Sequence, residues 1–90
     1  MRYSTEIELL CIKVCDYYNS LDQRSDWEYE IHPDSEKKPY YISFYNRGNG
    51  LIFHRNFYRF SYGWDTPTRI NKLSSAEKEL IDYLNSIWAK

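Results

Sequence analysis

Two amphipathic stretches with the apolar period of a helix enclose the central part of this sequence. In the first, approximately Thr5 to Leu21, apolar residues recur every three or four positions, which is the spacing of one buried helical stripe. The second begins at Ser74 as its N-cap, and Glu77 three residues later completes a capping box. The two stripes consist of Ile7, Leu10, Cys11, Val14, Cys15, Tyr18 and Leu21, and of Leu80, Ile81, Leu84, Ile87 and Trp88. We therefore predict one helix near each end of the chain.

Between these helices the apolar residues alternate with polar ones, as they do in half-buried strands. The segment Trp27–His32 alternates in this way, and residues 40–46 form a second such segment. Pro33 and Pro39 enclose a solvated loop, since proline lacks the donor that a sheet ladder needs. Residues 46–50, Asn-Arg-Gly-Asn-Gly, predict a tight hairpin that leads into a third strand.

The hairpin determines which side chains of the second and third strands face the core. It predicts inward side chains at Ile42, Phe44, Leu51 and Phe53, and outward ones at Tyr41, Ser43, Tyr45, Ile52 and His54. Beyond Asn56 the more apolar series moves by one position, to Tyr58, Phe60, Tyr62 and Trp64. A bulge near Asn56 would produce that change, and it would turn Phe57 and Arg59 outward.

These elements follow one another as α-β-β-β-α, with a third strand that is either continuous or divided in two. Ninety residues hold a single hydrophobic core, because domains usually need ~50–200 residues. We expect one domain over residues 1–90, an α+β fold in which an antiparallel meander of three or four strands carries both helices on one face. That arrangement buries every apolar stripe named above.

The two cysteines lie four residues apart on the first predicted helix, at Cys11 and Cys15. Their side chains run parallel there, so a disulfide between them would be strained, and free thiols are typical of a reducing environment. Zinc sites bring paired ligands together on knuckles or hairpins, whereas His32 and His54 lie on separate predicted strands. We interpret both cysteines as core residues and expect no metal and no cofactor. No spacing selects a nucleophile, a base and a carboxylate partner, so we expect no enzymatic activity.

Charge is distributed unevenly along a chain whose net charge is −1. Residues 1–36 contain three Lys or Arg against nine Asp or Glu, whereas residues 37–73 contain seven against one. Such a division indicates either separate faces for charged partners or neighbouring strands that neutralise each other. We favour neutralisation, since the segments of so small a domain must lie against each other, and we expect Glu28 and Glu30 to lie across from arginines.

Aromatic residues are abundant, with ten Tyr, four Phe and three Trp. A small core does not enclose all of these rings, and Tyr, Trp and Arg are the residue types that contribute most to binding energy. We predict a partner-binding patch on the outward sheet face and the hairpin, formed by Tyr41, Tyr45, Arg47, His54, Phe57 and Arg59. Basic and aromatic residues on a sheet are also typical of surfaces that bind single-stranded nucleic acid.

The order of the elements resembles that of the double-stranded-RNA-binding domain across most of the chain. That family holds phosphates with a lysine-rich start to its last helix, where residues 74–78 are here Ser-Ser-Ala-Glu-Lys. Residues 74–78 depart from that family's pattern, with one lysine, Lys78, beside Glu77, so the resemblance is confined to the order of the elements.

Residues with A/T-rich codons outnumber those with G/C-rich codons, a bias common among accessory genes of low-GC bacteria and their phages. We expect a non-enzymatic protein-interaction module, of the kind that phages or mobile elements use as anti-defence inhibitors (the anti-CRISPR type). It would block a surface of a larger, nucleic-acid-processing host protein. The alternative is a single-stranded nucleic-acid-binding module that uses the same residues. No apolar run approaches the ~18 residues that a membrane span requires, so we expect a cytoplasmic protein without a membrane partner.

Overall fold

Six elements follow one another in the residues that the structure, a computed structural model, describes: 5–36, 38–48, 54–61, 63–65 and 73–88. They are α1 (Thr5–Leu21), β1 (Trp27–Pro33), β2 (Pro39–Asn46), β3 (His54–Phe60), β4 (Gly63–Asp65) and α2 (Ser75–Trp88). The strands are antiparallel and lie in the order β1-β2-β3-β4, so each strand pairs with the next one along the chain. The predicted α+β fold is confirmed, with the sheet in its four-stranded form.

Both helices begin where the sequence predicts, α1 also ends at the predicted Leu21, and the predicted capping box precedes α2. In the capping box before α2, the Glu77 N–H donates to Ser74 Oγ at 3.2 Å, and the Ser74 N–H donates to Glu77 Oε1 at 2.8 Å. Two predicted core positions are wrong, because Leu21 is 66% exposed and Ile87 is 43% exposed. Each lies in the last turn of its helix.

The helices lie on one face of the sheet, where α1 packs against β1, α2 packs against β4, and the helices contact each other. The buried apolar residues between the layers are Ile7, Leu10, Cys11, Val14, Cys15, Ile42, Phe44, Phe57, Trp64, Ala76, Leu80, Ile81 and Leu84. Both cysteines are free thiols in this core, as predicted. Neither described helix combines the length and the apolar character needed to cross a bilayer.

The predicted bulge near Asn56 is wrong, and β3 keeps one alternation along its length. Its register pairs Ile42 with Phe57 and Tyr41 with Tyr58 without interruption. Phe57 is fully buried, so this residue, and not Tyr58, faces the helices. The prediction failed because aromatic residues occupy both faces of β3, and hydrophobicity then does not indicate which face is the core face.

The start of the predicted hairpin is held against the loop between α1 and β1. Asn46 Oδ1 accepts hydrogen bonds from the backbone N–H groups of Asp26 and Gly48, both at 2.9 Å. A Cβ at Gly48 would lie 2.1 Å from the Arg24 carbonyl oxygen, so close backbone approach, and not a positive φ, requires glycine there. The predicted hairpin tip, residues 49–53, lies outside the described residues.

Three described cations of the basic segment pair with carboxylates of the acidic segment, whereas Arg55 pairs with Glu77 of α2. The ion pairs formed by the described cations of the basic segment are Lys38–Glu36, Arg47–Glu28, Arg55–Glu77 and Arg59–Asp34. The expectation that Glu28 and Glu30 lie across from arginines is wrong, since β1 pairs with β2 and places them opposite Tyr45 and Ser43. Among the described arginines, Glu28 pairs with Arg47, which directly follows the end of β2.

Candidate interaction site

The face of the sheet opposite the helices is not covered by any helix or strand among the described residues. We call it the outer sheet face. Its described side chains are Glu28, Glu30, His32, Tyr41, Ser43, Tyr45, Asn56, Tyr58, Phe60 and Asp65. The register aligns them in rows across the strands, and residues directly opposite each other in antiparallel strands are close enough to interact.

Aromatic rings form one continuous row across three strands. The Tyr41 ring stacks on Tyr58 at a centroid distance of 4.6 Å and lies 4.5 Å from the ring of His32. Phe60 continues the row 6.0 Å from Tyr58, and all four rings are half-buried. Burial, and then the adjacent Tyr58, raise the pKa of Tyr41, so its hydroxyl is uncharged at neutral pH. These four residues, the aromatic row, make a restrained and partly exposed aromatic surface.

A polar row lies beside the aromatic row and consists of Ser43 and Asn56. Ser43 is only 5% exposed, and its Oγ lies 3.4 Å from Nε2 of His32. The Oδ1 atom of Asn56 is buried and has no hydrogen-bond partner among the described residues. A buried acceptor without a partner costs ~1–3 kcal/mol and is rare in native proteins. This acceptor is shielded from solvent by its neighbours, so a donor from outside the chain reaches it only when those side chains move.

A third row ends the outer sheet face on the hairpin side. The Tyr45 hydroxyl donates to Glu28 Oε1 at 3.2 Å, and Arg47 Nη1 lies 3.5 Å from the same oxygen. Burial, followed by the charges of Glu30 and Glu28, raises the pKa of Tyr45. His54 is opposite Tyr45 in the register, although its side chain lies outside the described part of the structure. The structure thus places Tyr41 and Tyr45 on this face and Arg47 at its margin.

Two residues of the predicted patch lie on the other side of β3. Phe57 is part of the core and is fully buried. Arg59 is opposite the buried Trp64 in the register, and its guanidinium pairs with Asp34 at 2.5 Å. Hydrogen bonding from the Lys38 backbone, and then from Arg59, holds the pKa of Asp34 below its usual range. Neither Phe57 nor Arg59 belongs to the outer sheet face, because β3 has no bulge to turn these side chains outward.

Sequence reasoning missed four residues of the outer sheet face: His32, Asn56, Tyr58 and Phe60. The signal that identifies the last three was present, because an uninterrupted alternation beyond His54 places all of them outward. The sequence predicts that His32 ends the first strand, but the contact of its ring with Tyr41 depends on the register between β1 and β2.

On the helix side of the sheet, Arg55 is held by a buried carboxylate. Glu77 is 1% exposed, and it accepts hydrogen bonds from Arg55 Nε at 2.5 Å and Nη2 at 3.2 Å. The Tyr18 hydroxyl of α1 donates to the same carboxylate. Burial by itself raises the pKa of Glu77, but the hydrogen bonds from Arg55 and Tyr18 outweigh it and hold that pKa below its usual value. The start of α2 therefore contributes a buried carboxylate to the fold.

The two thiols lie in surroundings that suppress their reactivity. Burial, then the neighbouring Cys15, raises the pKa of Cys11, and burial with the charges of Asp16 and Glu28 raises the pKa of Cys15 to about 12. Among the residues that the structure describes, no three His, Cys, Asp or Glu side chains form a group able to hold a metal ion.

Compared with models of protein families, with curated proteins and with solved structures, this chain has no match.

Proposed function

We propose that this protein is a non-enzymatic interaction module that binds a larger protein through the outer sheet face. The observation that carries the proposal is the aromatic row with the unpaired Asn56 acceptor beside it. Rings that stack on each other in the free protein lose little conformational freedom on binding, so their contact area contributes efficiently to affinity. A donor that reaches Asn56 Oδ1 meets an acceptor that is already dehydrated.

The dimensions of the sheet support a contact that extends toward the hairpin. Strands spaced by about 4.8 Å, with a rise of about 3.3 Å per residue, make the outer sheet face roughly 20 by 23 Å. That area is about half of the ~800 Å² that each partner contributes to a stable interface. The neighbouring margin, where Arg47 has a side chain that is 63% exposed, supplies a residue type favoured in such contacts.

The partner that we propose is a nucleic-acid-processing or defence enzyme of a bacterial host, which this protein blocks as phage-type inhibitors do. The bias of the sequence toward residues with A/T-rich codons supports this choice. So does the charge at the β1 margin of the outer sheet face, where the side chains of Glu28 and Glu30 are 41% and 60% exposed. Carboxylates at that margin complement the basic surfaces with which such enzymes contact nucleic acid.

The test is affinity capture from the host with three matched baits. The first is the wild type, the second carries Tyr41→Ala with Tyr58→Ala, and the third carries Tyr17→Ala. Tyr17 is 41% exposed on α1, so its replacement removes a similar ring from the helix layer. A genuine partner is retained by the wild type and by the Tyr17 control and is lost by the double variant.

With the purified partner, we expect the double variant to weaken the dissociation constant by at least about thirtyfold, as loss of central aromatic anchors does. Circular dichroism and a melting curve verify that each bait is folded. Retention of the partner by a folded double variant would contradict the proposal.

A salt titration separates protein binding from the nucleic-acid alternative. Binding of a labelled single-stranded oligonucleotide would weaken linearly in log salt, with a slope that reports the phosphates neutralised. A contact centred on aromatic rings depends much less on salt. Arg47, Arg55 and Arg59 each already pair with a carboxylate, which supports the protein-binding interpretation. Submicromolar oligonucleotide binding that the double variant loses would establish the alternative instead.

A further inference from the structure

A groove lies between α1 and β1, away from the centre of the outer sheet face. Its volume is about 330 Å³, and it is lined by Ile12, Cys15, Asp16, Asn19, Trp27, Glu28 and Tyr29. Ile12 is 44% exposed, so part of the apolar lining is open to solvent. β1 is the first strand in the sheet order, and none of the described strands pairs with its outer side. The groove therefore lies along an open sheet edge.

The backbone of β1 offers hydrogen-bonding groups at this edge. In an antiparallel pair, alternate residues of an edge strand direct their N–H and C=O groups away from the neighbouring strand. Trp27 is one of these, because its N–H donates to Asn19 Oδ1 of α1 at 2.9 Å instead of to β2. Tyr29 and Ile31 follow it at two-residue intervals, so their backbone groups also point to the open edge.

Two acidic residues, Asp16 and Glu28, are among those that line the groove. Asp16 lines the groove and is exposed on α1, and Glu28 lines it from β1 while its carboxylate bonds to Tyr45 and Arg47 at the margin of the outer sheet face. Burial, and then the negative charges of Asp16 and Glu28, raise the pKa of the Cys15 thiol. Cations and cationic side chains are therefore favoured in this groove.

We propose that this groove binds an extended basic segment of a partner protein, which pairs with β1 as a fifth strand and places a Lys or Arg side chain beside Asp16. Addition of a strand to an open edge takes its affinity from main-chain hydrogen bonds and its specificity from the flanking pockets. A second copy of this chain is disfavoured as the occupant, because pairing of two β1 edges would bring the Glu28 and Glu30 carboxylates of both copies together. The site goes beyond the proposed function, which is centred on the aromatic row of the outer sheet face.

The probes are three synthetic nonapeptides with β-branched residues at alternate positions. One carries Lys and Arg at the remaining positions, one carries Asp and Glu there, and one is the basic peptide with N-methylated backbone amides on its pairing edge. The proteins are the wild type, Asp16→Lys, and Asp82→Lys as a matched charge reversal at an exposed position on α2. Calorimetry measures affinity, and amide hydrogen exchange by NMR measures protection at Tyr29 and Ile31.

We expect saturable binding of the basic peptide and at least tenfold weaker binding of the acidic and N-methylated peptides. Exchange at the amides of Tyr29 and Ile31 should slow by roughly tenfold at saturation, as newly paired edge amides do. Asp16→Lys should weaken binding about fivefold to tenfold, while Asp82→Lys changes it less than twofold.

Equal affinity for the basic and N-methylated peptides, unchanged exchange at Tyr29 and Ile31, or no saturable binding at millimolar peptide would each overturn the proposal. The exchange measurement uses the wild type, so it remains decisive if Asp16→Lys fails to fold. The variant with Tyr41→Ala and Tyr58→Ala should bind the basic peptide normally. Failure at this groove is thereby distinguishable from failure of the outer sheet face.

Discussion

Replacement of Glu77 by Gln tests how strongly one buried carboxylate joins α1, α2 and β3. Glu77 closes the capping box before α2, pairs with Arg55 of β3 and accepts a hydrogen bond from Tyr18 of α1. The amide keeps the shape of the side chain but has no charge, and it presents a donor where the native carboxylate has an acceptor. The variant therefore leaves the guanidinium and a hydroxyl poorly matched without creating a cavity.

The expected loss follows from the burial of the two partners. Removal of one partner of a buried ion pair costs about 3–5 kcal/mol. Arg55 has a side chain that is 25% exposed, and the amide still offers one acceptor oxygen, so we expect the lower end, about 3 kcal/mol. For a chain of 90 residues, the entropy of unfolding of about 2 cal/mol/K per residue converts this loss into a melting temperature lower by roughly 15 °C.

Thermal and urea unfolding monitored by circular dichroism measure the effect, with Glu79→Gln as the control. Glu79 lies two residues along the same helix, is 50% exposed and pairs with Lys13 at 2.9 Å, so its loss should cost less than about 1 kcal/mol. If Glu77→Gln melts within 3 °C of this control, the described ion pair does not stabilise the fold and the reasoning is refuted.

The pH dependence of the unfolding free energy tests the same prediction independently. The pKa of Glu77 lies below its usual value in the folded protein, so its contribution to stability is complete above the unfolded pKa and is lost as the pH falls through the folded pKa. The difference in unfolding free energy between the wild type and Glu77→Gln should therefore be full at pH 7 and smaller at pH 3. A difference that grows on acidification would show that the folded pKa is raised.

Three further predictions concern the outer sheet face, the thiols and the core. Asn56→Ala should change the unfolding free energy by less than about 1 kcal/mol, since it removes an acceptor without a partner, yet weaken partner binding about fivefold to tenfold by calorimetry. Cys15, with a thiol pKa of about 12, should react with a disulfide reagent at pH 8 at least roughly a hundredfold more slowly in the native protein than in denaturant. Leu84→Ala should cost about 3 kcal/mol in urea unfolding because Leu84 is fully buried, whereas Leu21→Ala, at a 66% exposed position, should cost less than about 0.5 kcal/mol.

The features that the sequence by itself determined are those set by neighbours along the chain. The bounds of α1, the capping box of Ser74 and Glu77, and the inward side chains of β2 follow from interactions over two to four residues. The free thiols also belong to this group, because the helix itself fixes the spacing of Cys11 and Cys15. Such interactions are local, so their pattern is readable before any tertiary contact is known.

Only the tertiary structure decided which face of β3 is buried and which carboxylate each arginine meets. Both faces of β3 carry aromatic rings, so the burial of Phe57 and the outward position of Tyr58 depend on the register with β2 and on the helices that pack on the sheet. Arg55 and Glu77 are 22 residues apart in the sequence, and Arg59 and Asp34 are 25 apart. At such separations, the net charge of a segment indicates that its arginines are neutralised but not which carboxylates pair with them. The observed outer sheet face differs from the predicted patch because the predicted bulge is absent from β3. A one-residue change of alternation in a strand moves every following side chain to the opposite face.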